Sequence, residues 1–146
     1  MDKQIGFKIV GLRTEQFATL EENFVENKKS EVITDLEFRA NKESHQIGVF
    51  STFTFKIAKK PFIILQISCH FMITDESWES CIDGSTATFP KDFMTHLTVI
   101  TIGTARGILH TKTEGTTFNR FLLPTINVTE LVTEDVSFIF KNNEEK

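Results

Sequence analysis

The side chains best suited to chemistry are four histidines (His45, His70, His96, His110), Cys69 and Cys81, and the acidic pairs Glu21-Glu22, Asp75-Glu76 and Glu134-Asp135. A zinc hydrolase needs two histidines one helical turn apart with a glutamate between them, because that spacing brings both imidazoles to one ion. No histidine pair here has it, and Cys69-His70 with distant Cys81 lacks a zinc-ligand spacing. Ser68 and Ser80 stand without the glycine-flanked turn that presents a nucleophilic serine. The seven glycines are dispersed, so there is no phosphate-cradling loop. The acidic pairs sit in polar stretches that read as solvated surface. The pattern gives no support to an enzyme and calls for no cofactor and no metal.

The positioning elements follow from length and periodicity. A chain of 146 residues, 40% hydrophobic and 25% charged, suits one domain spanning 1–146 with a modest core. A net charge of −4 argues against nucleic-acid binding, which needs clustered lysine and arginine. No apolar run is long enough for a signal peptide or a membrane span, so the expected location is cytoplasmic and both cysteines are expected as free thiols. The fifteen phenylalanines, against one tryptophan and no tyrosine, allow either an apolar binding surface or plain core.

Strands dominate the first half. Ile5, Phe7 and Ile9 alternate with polar neighbours, after which order weakens from Arg13 to Ser30. Three clean alternations follow: Val32 to Ala40, Ile47 to Ile57, and Ile63 to Ile73. Turns are expected at residues 41–44 and at Lys59-Lys60-Pro61. Such alternation implies an antiparallel sheet with one face covered and the other wet. Residues 74–88 read as polar and turn-rich around Trp78 and Ile82. Pro90 then opens a long helix carrying Phe93, Leu97, Ile100, Thr104 and Ile108 at helical spacing, with Gly115 near its end. Gly103 and Gly107 share a face of that helix and cost about 1 kcal/mol each relative to alanine, so another element is expected to approach the backbone there. Asn127 can cap a short helix, and Val136 to Phe140 alternates as a last strand.

Late in the chain, Ala105-Arg106, Gly115-Thr116-Thr117-Phe118 and Leu122-Leu123-Pro124-Thr125-Ile126-Asn127-Val128 resemble the SecB export-chaperone family. The resemblance implies an α+β fold with a four-stranded antiparallel sheet, one long helix packed on one face and a short or irregular C-terminal element. It also implies a homo-oligomeric dimer of dimers, acting as an ATP-independent holdase that binds unfolded client polypeptides in hydrophobic grooves. On that reading Trp78, Phe89, Phe93, Phe118, Phe121 and Leu122 are the groove candidates, and Gly103, Ala105 and Gly107 the oligomer-interface candidates. Within these motifs Asn119 replaces a family proline and Pro124 is shifted by about one residue, and the sequence departs from the family in three further places. Thr101-Ile102-Gly103-Thr104 replaces an apolar, proline-bearing run, and neutral Gln66 stands where the family offers an acid to its translocase motor. Glu134–Phe140 is strand-like where the family has a helix. These departures bear on export more than on chaperone activity. A chaperone dedicated to a toxin–antitoxin pair, with an antitoxin as partner, therefore stays open. So do a carrier of small apolar ligands and a purely structural subunit.

Overall fold

The three alternating segments form consecutive hairpins: β2 (Ser30–Asn41), β3 (Gln46–Ile57) and β4 (Lys60–Ile73). β1 (Phe7–Thr19) pairs with β4, so the antiparallel sheet has the order β1-β4-β3-β2. Residues 20–29 must therefore cross the end of the sheet from one edge to the other. These assignments come from a computed structural model that describes residues 4–141. Inward-facing Ile47, Val49, Phe53, Ile63, Leu65, Ile67 and Phe71 are fully buried and form the centre of the core.

β1 runs further than the sequence suggests, and the reason is geometric. Its register against β4 shifts between Ile9 and Gly11 and again between Thr14 and Gln16. Each bulge adds one unpaired residue and reverses the alternation. Phe7, Ile9, Leu12, Thr14 and Phe17 thus share the inward face, opposite Ile73, Phe71, Cys69, Ile67 and Leu65, although no period-2 count would join them. The β3–β4 turn also differs from expectation. It is the pair Ala58-Lys59, both left-handed at φ 53° and 68°, and β4 already starts at Lys60. That is the two-residue hairpin geometry usually supplied by Asn-Gly, which is why Ala-Lys hides it.

Residues 74–89, expected as irregular, hold α1 (Asp75–Cys81), β5 (Ile82–Asp83) and β6 (Thr86–Phe89). The Thr74 hydroxyl caps α1 by accepting from Ser77 N–H, and Trp78 anchors it in the core. α2 (Lys91–Lys112) begins after Pro90, which is its N-cap residue, and ends at Thr113, two residues before left-handed Gly115. It lies on β3 and β4 through Met94, Leu97, Thr98, Thr101, Ile102, Ala105 and Leu109. Most of the expected stripe (Phe93, Ile100, Thr104, Ile108) is only half-buried, because the threonines displace it. Thr98 and Thr101 can be buried since their hydroxyls donate to the carbonyls of Met94 (2.8 Å) and Leu97 (2.9 Å).

After α2 come a 3₁₀ turn at Thr117–Arg120 and a second at Val128–Glu130, where Asn127 Oδ1 accepts from Thr129 N–H. The final strand, β7 (Val136–Ile139), pairs with β6 in a separate three-stranded sheet of order β5-β6-β7 that the sequence did not reveal. Cys69 and Cys81 form no disulfide. Among the described residues nothing comes within 4 Å of a Cβ placed at Gly103 or Gly107, so the expected close approach to the backbone is not seen there.

Candidate functional site

At the end of the sheet where residues 20–29 cross, backbone and side chain pin the segment. Leu20 N–H donates to the Phe62 carbonyl (2.9 Å) and Asn23 Nδ2 to that of Pro61 (2.8 Å). Phe24 is thereby set among Phe62, Phe118 and Phe121, with ring centroids 5.3, 5.2 and 5.8 Å away. Phe55 joins through Phe62 and Phe121, at 6.2 Å from each. The rings meet edge-on or tilted, the arrangement their quadrupoles favour. Phe55, Phe62 and Phe118 are buried, whereas Phe24 and Phe121 are half-buried and border on exposed Val25 and Leu122. The Arg120 guanidinium lies 5.2 Å from both half-buried rings and reaches Glu26 at 3.1 Å. The cluster therefore has an apolar floor, a half-buried aromatic pair and a charged rim.

A second aromatic group lies at the start of α2. Phe93 sits 5.5 Å from Phe7 and 6.1 Å from Phe89, and Phe89 is 5.6 Å from Trp78. Ile5, Phe7, Pro90, Phe93 and His96 line an open cleft of about 400 Å³ there. His45 stacks on Trp78 at 4.8 Å and holds Asp75 at 2.9 Å through Nδ1.

The two groups lie at opposite ends of α2. α2 starts beside Phe7, which pairs with Ile73, and the turn after it places Phe118 against Phe62 near the other end of β4. The helix thus spans about 33 Å between them. The inward side chains of β1 stay open, with Ile9 51% and Leu12 50% exposed, and on the face of α2 turned away from the sheet Val99 is 50% exposed in line with Gly103 and Gly107.

On the opposite face of the sheet lies one polar constellation. Ser68 Oγ donates to Glu15 Oε2 (2.7 Å) and is 2.9 Å from His70 Nε2. The serine proton goes to the carboxylate, so neutral His70 carries its proton on Nε2 and donates to Oγ. The serine sits between acid and imidazole, and it is fully buried, so it presents no nucleophile. Burial, followed by nearby Arg13, lowers the His70 pKa. Burial raises that of Cys69, against the opposing hydrogen bonds of Thr101 and Thr104. Among the described residues no three histidines, cysteines or acids converge as metal ligands.

Of the six groove candidates, Trp78, Phe89 and Phe118 are 0–2% exposed and belong to the core, held there by their large apolar area. Phe93 is half-buried in the cleft at the start of α2. Phe121 and exposed Leu122 lie at the far cluster, so the set divides between two ends of the molecule. Ala105 is fully buried on the sheet and is corrected as an interface residue, while Gly103 and Gly107 are exposed. Sequence reasoning missed Phe24, Phe7, Ile9 and Leu12 as surface formers. The signal for Phe24 was available, since Phe24-Val25 is an apolar pair inside the otherwise charged run from Glu21 to Lys29.

No protein-family model matches the sequence, and no curated protein does. Among solved structures, the SecB-like chaperone Rv1957 of Mycobacterium tuberculosis, in complex with a ChAD peptide from the Rv1956 HigA1 antitoxin, aligns with a TM-score of 0.50 at 9% identity. The alignment covers 83% of this chain and 91% of that one. A protein of unknown function from Streptococcus agalactiae aligns at a TM-score of 0.41 and 16% identity, over 86% of this chain and 100% of that one. The likeness to the chaperone is one of fold: this chain has a distant SecB-like architecture, extended by the second small sheet.

Proposed function

We propose that this chain is an ATP-independent holdase that binds non-native polypeptides on the apolar surface around the Phe24–Phe121 cluster. The observation that carries the reading is the half-buried pair Phe24 and Phe121 beside exposed Val25 and Leu122, set on a SecB-like fold. Burial of apolar area is non-directional and gains about 25 cal/mol per Å², so such a surface accepts many sequences and needs no nucleotide. The open side chains of Ile9 and Leu12 on β1, and the outer face of α2 at Val99, Gly103 and Gly107, suit association of copies, in keeping with a homo-oligomer working in the cytoplasm. A client restricted to an antitoxin is the second reading. Neutral Gln66 on the outward face favours it over export, and the M. tuberculosis protein of like fold was solved with an antitoxin peptide.

The test is light scattering for assembly size, followed by aggregation of a chemically denatured client with and without equimolar chaperone. Suppression without nucleotide is expected, and Phe121→Ser with Leu122→Ser reduces it several-fold while leaving the far-ultraviolet spectrum unchanged. A chain that suppresses nothing at any ratio would remove the proposal.

A further inference from the structure

His45 sits where the β2–β3 turn meets the rest of the molecule. Its backbone is left-handed at φ 54°, and its carbonyl accepts from Ile73 N–H at 2.8 Å, so the turn is bonded to the end of β4. Its side chain reaches the other way. The imidazole stacks on Trp78 with centroids 4.8 Å apart and planes 10° from parallel, and its Nδ1 lies 2.9 Å from Asp75 Oδ1. Trp78 in turn meets Phe89 of β6 and Phe140 beyond β7, at 5.6 and 6.1 Å. The one tryptophan of the chain is thus the joint between the main sheet, α1 and the second sheet.

The joint is lightly built. α1 has seven residues, of which only Trp78 is buried. Its other ties include the Thr74 cap and Ser77 Oγ, which accepts from Gly6 N–H at 2.9 Å. An element held by so few contacts opens locally at little cost, and one added interaction shifts that equilibrium.

A proton supplies such an interaction. The neutral ring donates to Asp75 from Nδ1, which leaves Nε2 free to take a second proton, and the side chain is 24% exposed, so solvent can deliver it. The imidazolium gains twice in the closed arrangement: it faces a carboxylate, and it lies on the face of an indole, the ring that attracts cations most strongly. An open α1 loses both. The other charges nearby balance. Lys42 and Glu43 precede His45 in its own turn, Glu76 and Glu79 lie on α1, Lys8 shares a cleft with Asp75, and Lys141 shares one with Lys42 and Glu43. Among the described residues none of these makes an ion pair, so Asp75 decides the sign.

We propose that His45, Asp75 and Trp78 form a proton-operated clasp, which fastens α1 and with it the second sheet to the β2–β3 turn as the pH falls into the range where imidazoles charge. Opening α1 would bare Trp78 and uncover one side of Phe89, so the clasp sets how much of this apolar joint solvent reaches near neutral pH. The proposal does not depend on the holdase reading.

The sole tryptophan reports on the contact directly, because an imidazolium stacked on an indole quenches its emission. The experiment uses the full chain with His70→Gln as background, so that titration on the outward face of the sheet does not enter. Emission should fall between roughly pH 8 and pH 5.5. Over that interval amide exchange in residues 75–81, corrected for intrinsic rates, should slow by about threefold or more, the effect of one exposed ion pair with one cation on a ring. His45→Asn, whose side chain tolerates the left-handed backbone, should abolish both changes. Asp75→Asn should keep the fall in emission and reduce the slowing. An emission step that survives His45→Asn, or exchange in residues 75–81 that is unchanged or faster at the acid end, would overturn the proposal. Neither readout uses a client, so the result is separate from whether the chain suppresses aggregation.

Discussion

His70 lies flat on the outward face between two glycines of the neighbouring strands, Gly11 and Gly48, which pair with it across β1 and β3. A Cβ at Gly48 would stand 3.2 Å from His70 Nδ1 and 3.0 Å from the Phe50 ring, so the glycine leaves room for both rings. Because burial holds the folded pKa below the ordinary 6.5, the unfolded chain takes up a proton first as the pH falls. The contribution of neutral His70 is therefore present above that value and is lost on the acid side. Urea midpoints should drop between pH 7 and pH 5, and His70→Gln should flatten that slope. Gly103 and Gly107 give the opposite case, with open space at both Cβ positions. Gly103→Ala and Gly107→Ala should each stabilise the separate chain by about 1 kcal/mol, measured by urea unfolding in dilute protein. Should the same substitutions reduce assembly size in light scattering, the glycines would be serving a contact between copies.

At the scale of elements, the motif Ala105-Arg106 shows what was legible and what was not. The pair stood out in the sequence, but its work appears only in space. Ala105 lets α2 sit close on the sheet, and Arg106 Nε and Nη2 donate to the carbonyls of Leu123 (3.0 Å) and Pro124 (2.7 Å). Residues 121–127, which have no regular structure of their own, are held by that fork. Arg106→Ala should cost about 1–3 kcal/mol, the usual range for charged hydrogen bonds, and should raise hydrogen exchange in residues 121–126 before any other region. The strands β2, β3 and β4 were readable because a one-sided sheet prints its period on the chain. β1 was readable only to its first bulge, since each inserted residue resets the count. β7 was readable as a strand, but α1, β5 and β6 were invisible because elements of two to seven residues, anchored by single side chains such as Trp78, carry too few residues to show a period.

For the whole molecule, the uneven covering of the core is what matters. α2 covers β3 and β4, while the inward side of β1 is left to solvent at Ile9 and Leu12. The phenylalanines sorted themselves into core and surface in a way no composition could foretell, since Phe118 and Phe121 are three residues apart and differ in exposure. If the open strip along β1 joins copies, Leu12→Asp should lower the assembly size seen in light scattering. It should leave the thermal midpoint of the dissociated chain within a few degrees of the parent, because Leu12 is half-exposed in that state. An unchanged assembly would assign the strip to clients instead.

The placement of β1 beside β4 also sets an order of events during synthesis. Its partners run from Ile63 to Ile73, so β1 leaves the ribosome long before the strand it must join. β2, β3 and β4 close by short hairpins, at little entropic cost, while docking β1 requires a loop of several dozen residues. Pulse-labelled exchange should find β3 protected before β1. In that interval one side of β4 is vacant, and the first strand of a neighbouring nascent chain is chemically identical to the one it awaits. Crowded polysomes would then favour exchanged dimers that dilute refolding does not produce, an outcome that comparing co-expressed and refolded material by mass would reveal.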